Sequence, residues 1–485
     1  MTPPVRTGYK SPDANAPIHG QDVLSRTGFT FKSLCSFAEE RTHHGDEASL
    51  SCATNALSGI YHRRRHPTWP GRCGAITGQL TAAPRDPLQA ARRTRTLFCL
   101  PFAGGGASAY APLQRDLANL EVVPLQLPGR ENRLAEPPAF SVREVADEIA
   151  PATSTPYALY GHSMGARLAF EVVRELRRRD LPPPTRLYVG AAHPPHLRVP
   201  LAATADLPDD AFIDQLVRRA GALAELRDEP ELRELMLPLL RSDFAWIKRY
   251  RYTPEPPLDT PVVAVAGVDD GEVGPSDMLG WARHTAAGFG LRTVRGGHFF
   301  VKDTHEELAR LITADLADEV GPPEEDEVHV WLTGGAAGAN EVLRHYAGDV
   351  RASACDADGL GLVAVTRAHR AGVAVRRSAG APPEAVDLSE LGVTEREQIE
   401  DAAEEDRHWL AERAVTARRA LVAGAGQEAR LDAFPDLGDP GPWQVQGWQV
   451  LHLPLHTPGG AARGAVAVPY GGARLALFTL KDRTR

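Results

Sequence analysis

The sequence predicts that residues from about 95 to 320 fold as an α/β domain with a parallel, doubly wound sheet. Short apolar runs alternate with segments of helical spacing, which is the pattern of strand–helix–strand units. A serine-centred pentapeptide joins one apolar run directly to one helix. The alternation is interrupted once, between residues 206 and 252, where the spacing is only helical. A group of helices inserted into such a domain is expected to form a lid.

Apolar runs bounded by Pro, Gly or polar residues predict the strands in chain order. They are Thr96–Pro101, Val122–Leu127, Pro156–Tyr160, Leu187–Gly190, Pro261–Ala266 and Leu291–Val294. Ser141 followed by Glu144 has the spacing of a capping box, so a helix is expected to begin there and to run to Ile149. The run at Pro156–Tyr160 is followed by a second helix through Arg177.

The chain of 485 residues is longer than a single hydrophobic core usually supports, so we expect more than one domain. Residues 1–94 show no sustained helical or strand period and are expected to be a low-order extension. The α/β domain should occupy residues 95–320, with its lid at about 200–250. Residues 321–327 are rich in proline and acid and predict a linker. Residues 328–485 predict a smaller α+β domain.

Composition limits the classes of function that are open to this chain. With 43% hydrophobic residues, 24% charged residues and a net charge of −9, it is typical of a globular protein and not of a nucleic-acid binder. Its five cysteines contain no CxxC pair, which argues against a disulfide framework or a zinc site and favours a reducing cytosol. No apolar run is long enough to span a membrane. We therefore expect a cytoplasmic protein without a metal, a cofactor or a membrane partner.

The strongest local signal is Gly161–Gly165, which reads Gly-His-Ser-Met-Gly. In the α/β-hydrolase fold, a G-x-S-x-G sequence places its serine on a sharp turn between a strand and a helix, where the hydroxyl is exposed. The predicted strand before Ser163 and the predicted helix after it supply that context. Ser163 is therefore the predicted nucleophile, and the alternative is a glycine-rich turn with an ordinary exposed serine.

A serine hydroxyl needs a base to become a nucleophile at neutral pH. His298, in the loop Gly296–Phe300 after the last predicted strand, is the best candidate. The fold uses the chain order serine, acid, histidine, so the acid should lie between them. Asp270, just beyond the strand at Pro261–Ala266, is the predicted acid and Asp269 the alternative. Both aspartates could instead serve only to cap the turn that follows.

Two backbone N–H groups are needed to stabilise the oxyanion of an acyl-transfer reaction. We expect the Met164 amide, which follows the nucleophile, to be one donor. The Ala103 amide, in the Gly-rich loop after the first strand, is the second candidate. This loop could suggest phosphate binding, but it lacks the Lys and Ser/Thr of a P-loop.

Five segments in register resemble the type II thioesterases of nonribosomal peptide and polyketide synthases. They are Leu97–Ser108, Leu127–Arg133, Tyr160–Ala166, Leu237–Phe244 with Tyr250–Tyr252, and Gly296–Phe300. The resemblance implies a hydrolase that removes acyl groups from the phosphopantetheine arm of acyl or peptidyl carrier proteins in antibiotic biosynthesis. It also implies a lid at Asp209–Ile247, whose apolar residues, among them Phe212, Leu216, Leu223, Leu226, Leu235 and Met236, would line an acyl channel or form core.

Other functions remain open at this point. The same chemistry would serve an acyl-CoA or small-ester hydrolase. A non-catalytic protein that docks carrier proteins is the alternative from another class.

The C-terminal region resembles, more weakly, the Sfp-type phosphopantetheinyl transferases, at Val328–Leu332, Gly372–Arg376 and Val415–Gly426. That family binds magnesium with carboxylates, but the matching positions here are Ala374, Arg376 and Arg419. The position of the catalytic lysine is Ala423. The resemblance therefore implies a domain that has lost transfer chemistry and could still bind a carrier protein. An unrelated α+β domain is the alternative.

Overall fold

The computed structural model describes residues 72–80, 94 and 96–479, with gaps at 221–224, 336–337, 347, 368, 379–385, 427–433, 435, 440–441, 458–459 and 470–473. Eleven strands form one continuous sheet in the order β1-β9-β10-β8-β15-β7-β6-β5-β4-β2-β3. In chain order these strands are β1 (Arg72–Leu80), β2 (Thr96–Leu100), β3 (Glu121–Pro124), β4 (Tyr157–His162), β5 (Arg186–Gly190), β6 (Val262–Gly267), β7 (Phe289–Val294), β8 (Glu327–Thr333), β9 (Gly348–Ala357), β10 (Leu360–Thr366) and β15 (Arg474–Thr479).

Six of these strands, β2 to β7, pair in parallel and form the hydrolase region (residues 96–318). Its helices are α1 (Ala111–Asp116), α2 (Val142–Ile149), α3 (Met164–Arg178), α7 (Pro275–Met278), α8 (Phe300–Asp303) and α9 (His305–Leu316), together with the lid helices given below. Helices cover both sheet faces. This is the α/β-hydrolase architecture that the sequence predicts, and the predicted capping box of Ser141 and Glu144 is confirmed.

The strands are buried on both faces, which is why they appear in the sequence as continuous apolar runs. In β2, for example, Phe98 and Leu100 contribute to the core beneath α2 and α3. Leu97 and Cys99 point to the opposite face and pack with α1 and α9. Successive strand residues face opposite sides of a sheet, so one apolar run supplies both cores.

The predicted lid is helical and follows β5. It begins with a 3-10 helix at Pro200–Asp206 and continues as α4 (Asp209–Ala220), α5 (Glu225–Asp228) and α6 (Pro230–Arg249). Of the apolar lid residues singled out in the sequence, Phe212, Leu216 and Leu226 are buried together in a core of the lid itself. Leu235 is exposed, and Leu223 lies outside the described residues. Core packing, and not an acyl channel, therefore accounts for the buried members.

Part of the C-terminal region (residues 327–479) extends the same sheet, through β8, β9, β10 and β15. Strand β15 pairs antiparallel with β7 of the hydrolase region and parallel with β8. A buried arginine reinforces this junction, because Arg474 forms ion pairs with Glu307, Glu324 and Asp326. The predicted linker thus contributes carboxylates to the junction, and β8 already begins at Glu327, inside it.

A second, four-stranded antiparallel sheet in the order β11-β14-β13-β12 completes the C-terminal region. Its strands are β11 (Gly372–Arg377), β12 (Trp443–Val445), β13 (Trp448–Thr457) and β14 (Gly460–Pro469). Helix α10 (Gly338–Leu343) follows β8, whereas α11 (Val393–Asp401) and α12 (Glu404–Ala425) precede β12. Apolar residues of α12 and of this sheet share one core.

The sequence did not predict β1. Residues 72–80 lie within the stretch expected to have low order, yet they form a strand that pairs antiparallel with the whole of β9. This part of the expectation is wrong. The pairing is specified by backbone partners 268 to 284 positions away, which a local hydrophobic pattern does not reveal. The rest of the predicted extension lies outside the described residues, apart from Thr94.

Candidate active site

Ser163 stands on a strained turn between β4 and α3. Its φ of +53° is in the left-handed region that non-glycine residues rarely adopt. The two flanking glycines are required by close backbone contacts. A Cβ on Gly161 would come within 2.2 Å of the Gly165 carbonyl oxygen, and a Cβ on Gly165 within 2.2 Å of the Leu100 carbonyl oxygen. The Gly-His-Ser-Met-Gly sequence therefore permits a tight turn that places the serine hydroxyl beyond the end of β4, at the amino end of α3.

The structure brings together the three side chains that the sequence proposes as nucleophile, base and acid. His298 Nε2 lies 3.1 Å from Ser163 Oγ, and His298 Nδ1 lies 2.8 Å from Asp270 Oδ2. The three residues follow β4, β6 and β7, whose carboxyl ends meet at one edge of the sheet. Asp269, the alternative acid, is exposed and does not hold His298. The histidine and the aspartate are both largely buried.

Asp270 is held so that it remains ionised. Its Oδ1 accepts hydrogen bonds from the Glu272 and Val273 amides, at 2.8 Å and 3.1 Å. Burial alone would raise the pKa of this carboxyl. The hydrogen bond from His298 and the two backbone amides outweigh burial and hold the pKa below its ordinary value. An ionised Asp270 accepts the Nδ1 proton of His298, which leaves Nε2 free to accept the serine proton.

The glycine loop (residues 102–108), which follows β2, is fixed from the lid. The Gly104 amide donates to Asp243 Oδ2 of α6 at 2.8 Å. The other oxygen of Asp243 accepts from Arg130 at 2.9 Å, and Arg130 also donates to the Gly105 carbonyl oxygen at 2.9 Å. Both side chains of this ion pair are almost completely buried. These residues lie in the motifs that resemble the thioesterases, but their mutual contacts were not predicted from the sequence.

Two further side chains hold the end of the glycine loop. Gln126 Oε1 accepts from the Ala107 amide, and the Glu131 carboxylate accepts from the Ser108 amide and hydroxyl. Two carboxylates, those of Asp243 and Glu131, therefore occupy amides that a phosphate would need. This arrangement disfavours a phosphate on the loop, in agreement with the missing P-loop residues.

The two expected oxyanion donors keep their amides available. Within the described residues, the N–H groups of Ala103 and Met164 donate to no backbone or side-chain acceptor. Met164 is the first residue of α3, where an amide has no partner within the helix. The neighbouring amides, of Gly104 and Gly105, are both occupied, the latter by the Phe102 carbonyl. Ala103 and Met164 can therefore donate to a substrate oxygen.

His162 is a residue of this site that the sequence analysis missed. Its Nε2 donates to the backbone carbonyl of His298 at 2.7 Å, and its Nδ1 accepts from the Tyr160 hydroxyl at 2.8 Å. Burial, followed by the proximity of His298, lowers the pKa of His162 to about 3, so the ring is neutral. The residue before the nucleophile thus anchors the loop that carries the histidine. Its position inside the pentapeptide was the only signal in the sequence.

The space next to Ser163 is small in this conformation. A cavity of about 30 Å³ adjoins Ser163 and His298. Its apolar walls come from the lid and from the segment before it, and include Val199, Leu201, Phe244 and Ile247. The lid therefore contributes to the site, but through residues other than those that the sequence analysis proposed for an acyl channel.

The C-terminal positions that the proposed resemblance would align with a magnesium site hold no carboxylate cluster. Ala374 is buried, Arg419 pairs with Glu390, and Arg376 lies 3.8 Å from Glu412. Nowhere in the part of the chain that the structure describes do three or more His, Cys, Asp or Glu side chains form a possible metal site. No helix among the described residues is long and apolar enough to cross a membrane.

Comparison with known proteins identifies the region that carries this site. The thioesterase-domain family matches residues 95–316. Linear gramicidin dehydrogenase LgrE of Brevibacillus parabrevis is 35% identical over 239 residues, which are 48% of this chain and 91% of the relative. Thioesterase PikA5 of Streptomyces venezuelae is 34% identical and covers 56% of this chain and 90% of its own length.

Among solved structures, RedJ, a thioesterase from the prodiginine biosynthetic pathway of Streptomyces coelicolor, is 36% identical. The match covers 48% of this chain and 90% of RedJ, with a TM-score of 0.42. The parallel sheet of the hydrolase region and the match to the thioesterase-domain family confirm the predicted α/β-hydrolase fold class.

Proposed function

This chain belongs to the thioesterase family, and we propose that it is a serine hydrolase that releases acyl groups from the phosphopantetheine arms of carrier proteins. The observation that carries the proposal is the hydrogen-bonded series Asp270–His298–Ser163 at the carboxyl edge of a parallel sheet. The relative PikA5 and the solved structure RedJ are thioesterases by name, and RedJ belongs to a biosynthetic pathway. The five motifs in register extend the proposal to the type II enzymes of peptide and polyketide synthases.

In the proposed reaction, Ser163 Oγ attacks the thioester carbonyl carbon while His298 Nε2 accepts the hydroxyl proton. Asp270 holds the other ring nitrogen and stabilises the imidazolium that forms. The C–S bond breaks, the arm leaves as a thiol with the proton from His298, and an acyl-serine remains. Water, deprotonated by His298, then attacks the acyl-serine. The products are a free carboxylic acid and a regenerated hydroxyl.

The Ala103 and Met164 amides are the proposed oxyanion donors. The carbonyl oxygen gains negative charge as the tetrahedral intermediate forms, and two fixed N–H groups stabilise that charge without reorganisation. The amino end of α3 adds to this stabilisation, because its unpaired amides carry partial positive charge. The Asp243–Arg130 pair contributes indirectly by fixing Gly104, the residue after Ala103.

Substrate entry requires the lid to move. A space of about 30 Å³ holds little more than one or two water molecules, far less than an acyl chain on a pantetheine arm. Phe244 and Ile247 of α6 form part of its wall, so a shift of this helix would open the site. Because Asp243 lies on the same helix, opening the lid would also release the glycine loop. We therefore propose that the closed lid and the ordered oxyanion site form together.

The experiment that tests the function compares one acyl group on three donors: a carrier protein, coenzyme A and a small thiol. We expect hydrolysis by the full chain to be fastest on the carrier, and Ser163→Ala to abolish hydrolysis of all three. Ser154→Ala, at an exposed serine before β4, is the matched control. Equal kcat/KM values on carrier and coenzyme A would favour the acyl-CoA hydrolase instead.

A covalent trap tests the nucleophile directly. A serine-reactive phosphonate should label Ser163, identified by mass spectrometry of the digested protein, and the His298→Gln variant should react far more slowly. Labelling of a different serine, or full hydrolysis by Ser163→Ala, would show that Ser163 is not the nucleophile. Absence of both labelling and hydrolysis with the unmodified chain would favour the non-catalytic docking protein.

For the C-terminal region we propose carrier binding without phosphopantetheinyl transfer. The resemblance to the transferases suggests the partner, whereas Ala374, Arg376, Arg419 and Ala423 replace the groups that would hold magnesium and catalyse transfer. Incubation of the full chain with apo-carrier protein, coenzyme A and magnesium should therefore give no modified carrier by mass spectrometry. Transfer of the arm would show that this reading of the region is wrong.

A further inference from the structure

A cavity lies between the hydrolase region and the C-terminal region, away from Ser163, and most of its lining surface is apolar. Its volume is about 210 Å³. Ser276 of α7 contributes one side, and residues of α12, β13 and β14 contribute the rest. Three cationic or basic side chains line it, those of Arg413, Arg463 and His452, together with the Thr416 hydroxyl and the Trp409 ring. No carboxylate is among the residues that line the cavity.

Several nitrogen atoms at this cavity lack partners. Arg463 donates from Nε to Glu412 at 2.9 Å, but its two terminal nitrogens bond to no described residue. His452 Nε2 is buried and forms no hydrogen bond within the described part of the chain. A buried polar atom without a partner is costly, so the unfilled position next to His452 Nε2 is informative. The Arg463 side chain is 25% exposed, so its terminal nitrogens are accessible to a ligand.

The charges around the cavity are held in place by packing. The Arg413 guanidinium lies over the Trp443 ring at 4.4 Å, and Arg463 lies over Trp409 at 5.7 Å. Glu412 is the nearest carboxylate to Arg463, and it also lies within 4 Å of Arg376 and His408. Asp439 faces Arg413. Burial, followed by the two arginines, lowers the pKa of His452 to about 3, which reflects the positive potential at its ring.

We propose that this cavity binds a phosphate-type oxyanion, held by the terminal nitrogens of Arg463, by Arg413 and by His452 Nε2. Guanidinium groups bind phosphate through charge-assisted, often paired hydrogen bonds, and a neutral imidazole can donate one more. The volume is below the ~300–1,000 Å³ of pockets for drug-sized ligands, so it suits free phosphate, pyrophosphate or the phosphate end of an ester. None of these residues belongs to the Ser163 site, so the inference goes beyond the proposed hydrolysis.

Binding can be measured by isothermal titration of the full chain with inorganic phosphate, pyrophosphate and AMP, at constant ionic strength set with chloride. The first two ligands test a free anion, and AMP tests a phosphate carried on an ester. We expect saturable binding of at least one ligand. Arg463→Gln should raise its Kd about tenfold or more, because a charge-assisted bond is lost. Arg310→Gln, at an exposed arginine of α9, should leave Kd unchanged.

Arg463 also pairs with Glu412, so Arg463→Gln could weaken binding by disturbing the fold. A second variant therefore tests the same cavity without this change. His452→Leu removes the buried donor and keeps both arginines, and it should likewise raise Kd. Thioester hydrolysis by both variants should match the unmodified chain. Absence of binding by all three ligands at 10 mM or more, or equal Kd values for Arg463→Gln and Arg310→Gln, would overturn the proposal; the ~10 mM limit corresponds to only about 3 kcal/mol of binding free energy.

Discussion

The catalytic candidates at Ser163 and the nitrogen donors of the cavity at Arg463 differ in how many of their polar atoms have partners. At Ser163, the acid, the base and the loop that carries them are all joined by hydrogen bonds: Asp270 to His298, and His298 to His162. At the cavity, the Arg463 terminal nitrogens and His452 Nε2 have no partner among the described residues. Beside Ser163, the unpaired groups among the described residues include the amides of Ala103 and Met164, the proposed oxyanion donors, and the buried Arg167 Nε and His193 Nδ1 in the cavity wall.

This difference is the one expected between a catalytic site and a ligand-binding site. A catalytic site must hold its own groups in position before the substrate arrives, so its polar atoms satisfy each other. A binding site leaves atoms unsatisfied, because the ligand is to supply the missing partners.

The largest expected effect comes from breaking the hydrogen-bonded series. Asp270→Asn should lower kcat/KM for thioester hydrolysis by about 10⁴-fold, because an amide favours the wrong tautomer of His298. The measurement is release of free thiol at saturating and subsaturating substrate. Asp269→Asn, one position earlier, is the control and should retain most activity. A loss below about tenfold for Asp270→Asn would contradict the role of acid.

Breaking the buried ion pair of the glycine loop should have the next largest effect. Asp243→Ala leaves Arg130 buried without its carboxylate, and we expect a loss of roughly 3–5 kcal/mol in the free energy of unfolding. Chemical denaturation followed by circular dichroism gives this quantity. Asp209→Ala, which breaks the exposed pair with Arg241 on the same lid, should cost about 1 kcal/mol or less. Equal losses would show that burial does not decide the strength of these pairs.

The buried histidines predict a pH dependence of stability. His162 in one site and His452 in the other both have a pKa of about 3 when folded. Unfolding restores a value near 6.5, so the unfolded chain binds more protons between these limits. The free energy of unfolding should therefore fall as the pH drops below about 6.5, by up to ~1.4 kcal/mol per pH unit for each histidine.

His452→Gln should lower the slope of unfolding free energy against pH by the contribution of one histidine. Urea denaturation at several pH values between about 4.5 and 6.5 measures this slope. His369→Gln, at a partly exposed histidine, is the control. Saturating phosphate should flatten the slope of the unmodified chain, because an anion next to His452 favours its protonated form. A slope unchanged by His452→Gln would contradict a neutral buried ring.

The smallest effect is expected at the surface of the junction between the two regions. Arg295 pairs with Glu324 and Asp326 while about half exposed. Arg295→Gln should change the free energy of unfolding by about 1 kcal/mol or less, since exposed pairs are screened by solvent. Arg474→Gln, at the buried arginine that binds the same two carboxylates, should cost several times more. Thermal or chemical unfolding of the two variants compares them directly.

Much of the Ser163 site could be predicted because its positions follow from local pattern and a topological rule. An apolar run followed by Gly-His-Ser-Met-Gly fixes the turn at Ser163. The convergence of parallel strand ends then places Asp270 and His298, whose distance along the chain is large, at the same edge. The strand positions, the capping box and the order of acid and base were therefore visible without coordinates.

The sequence by itself determined the parallel sheet, the lid insertion and the three residues that meet at its edge, because each rests on local periodicity or on chain order. Only the tertiary structure decided the rest. The bond from Asp243 to Gly104 spans 139 positions, the bond from His162 to His298 spans 136, and β15 reaches β7 across more than 180. Such pairings depend on which surfaces pack together in the folded chain. The residues adjacent in sequence do not predict them.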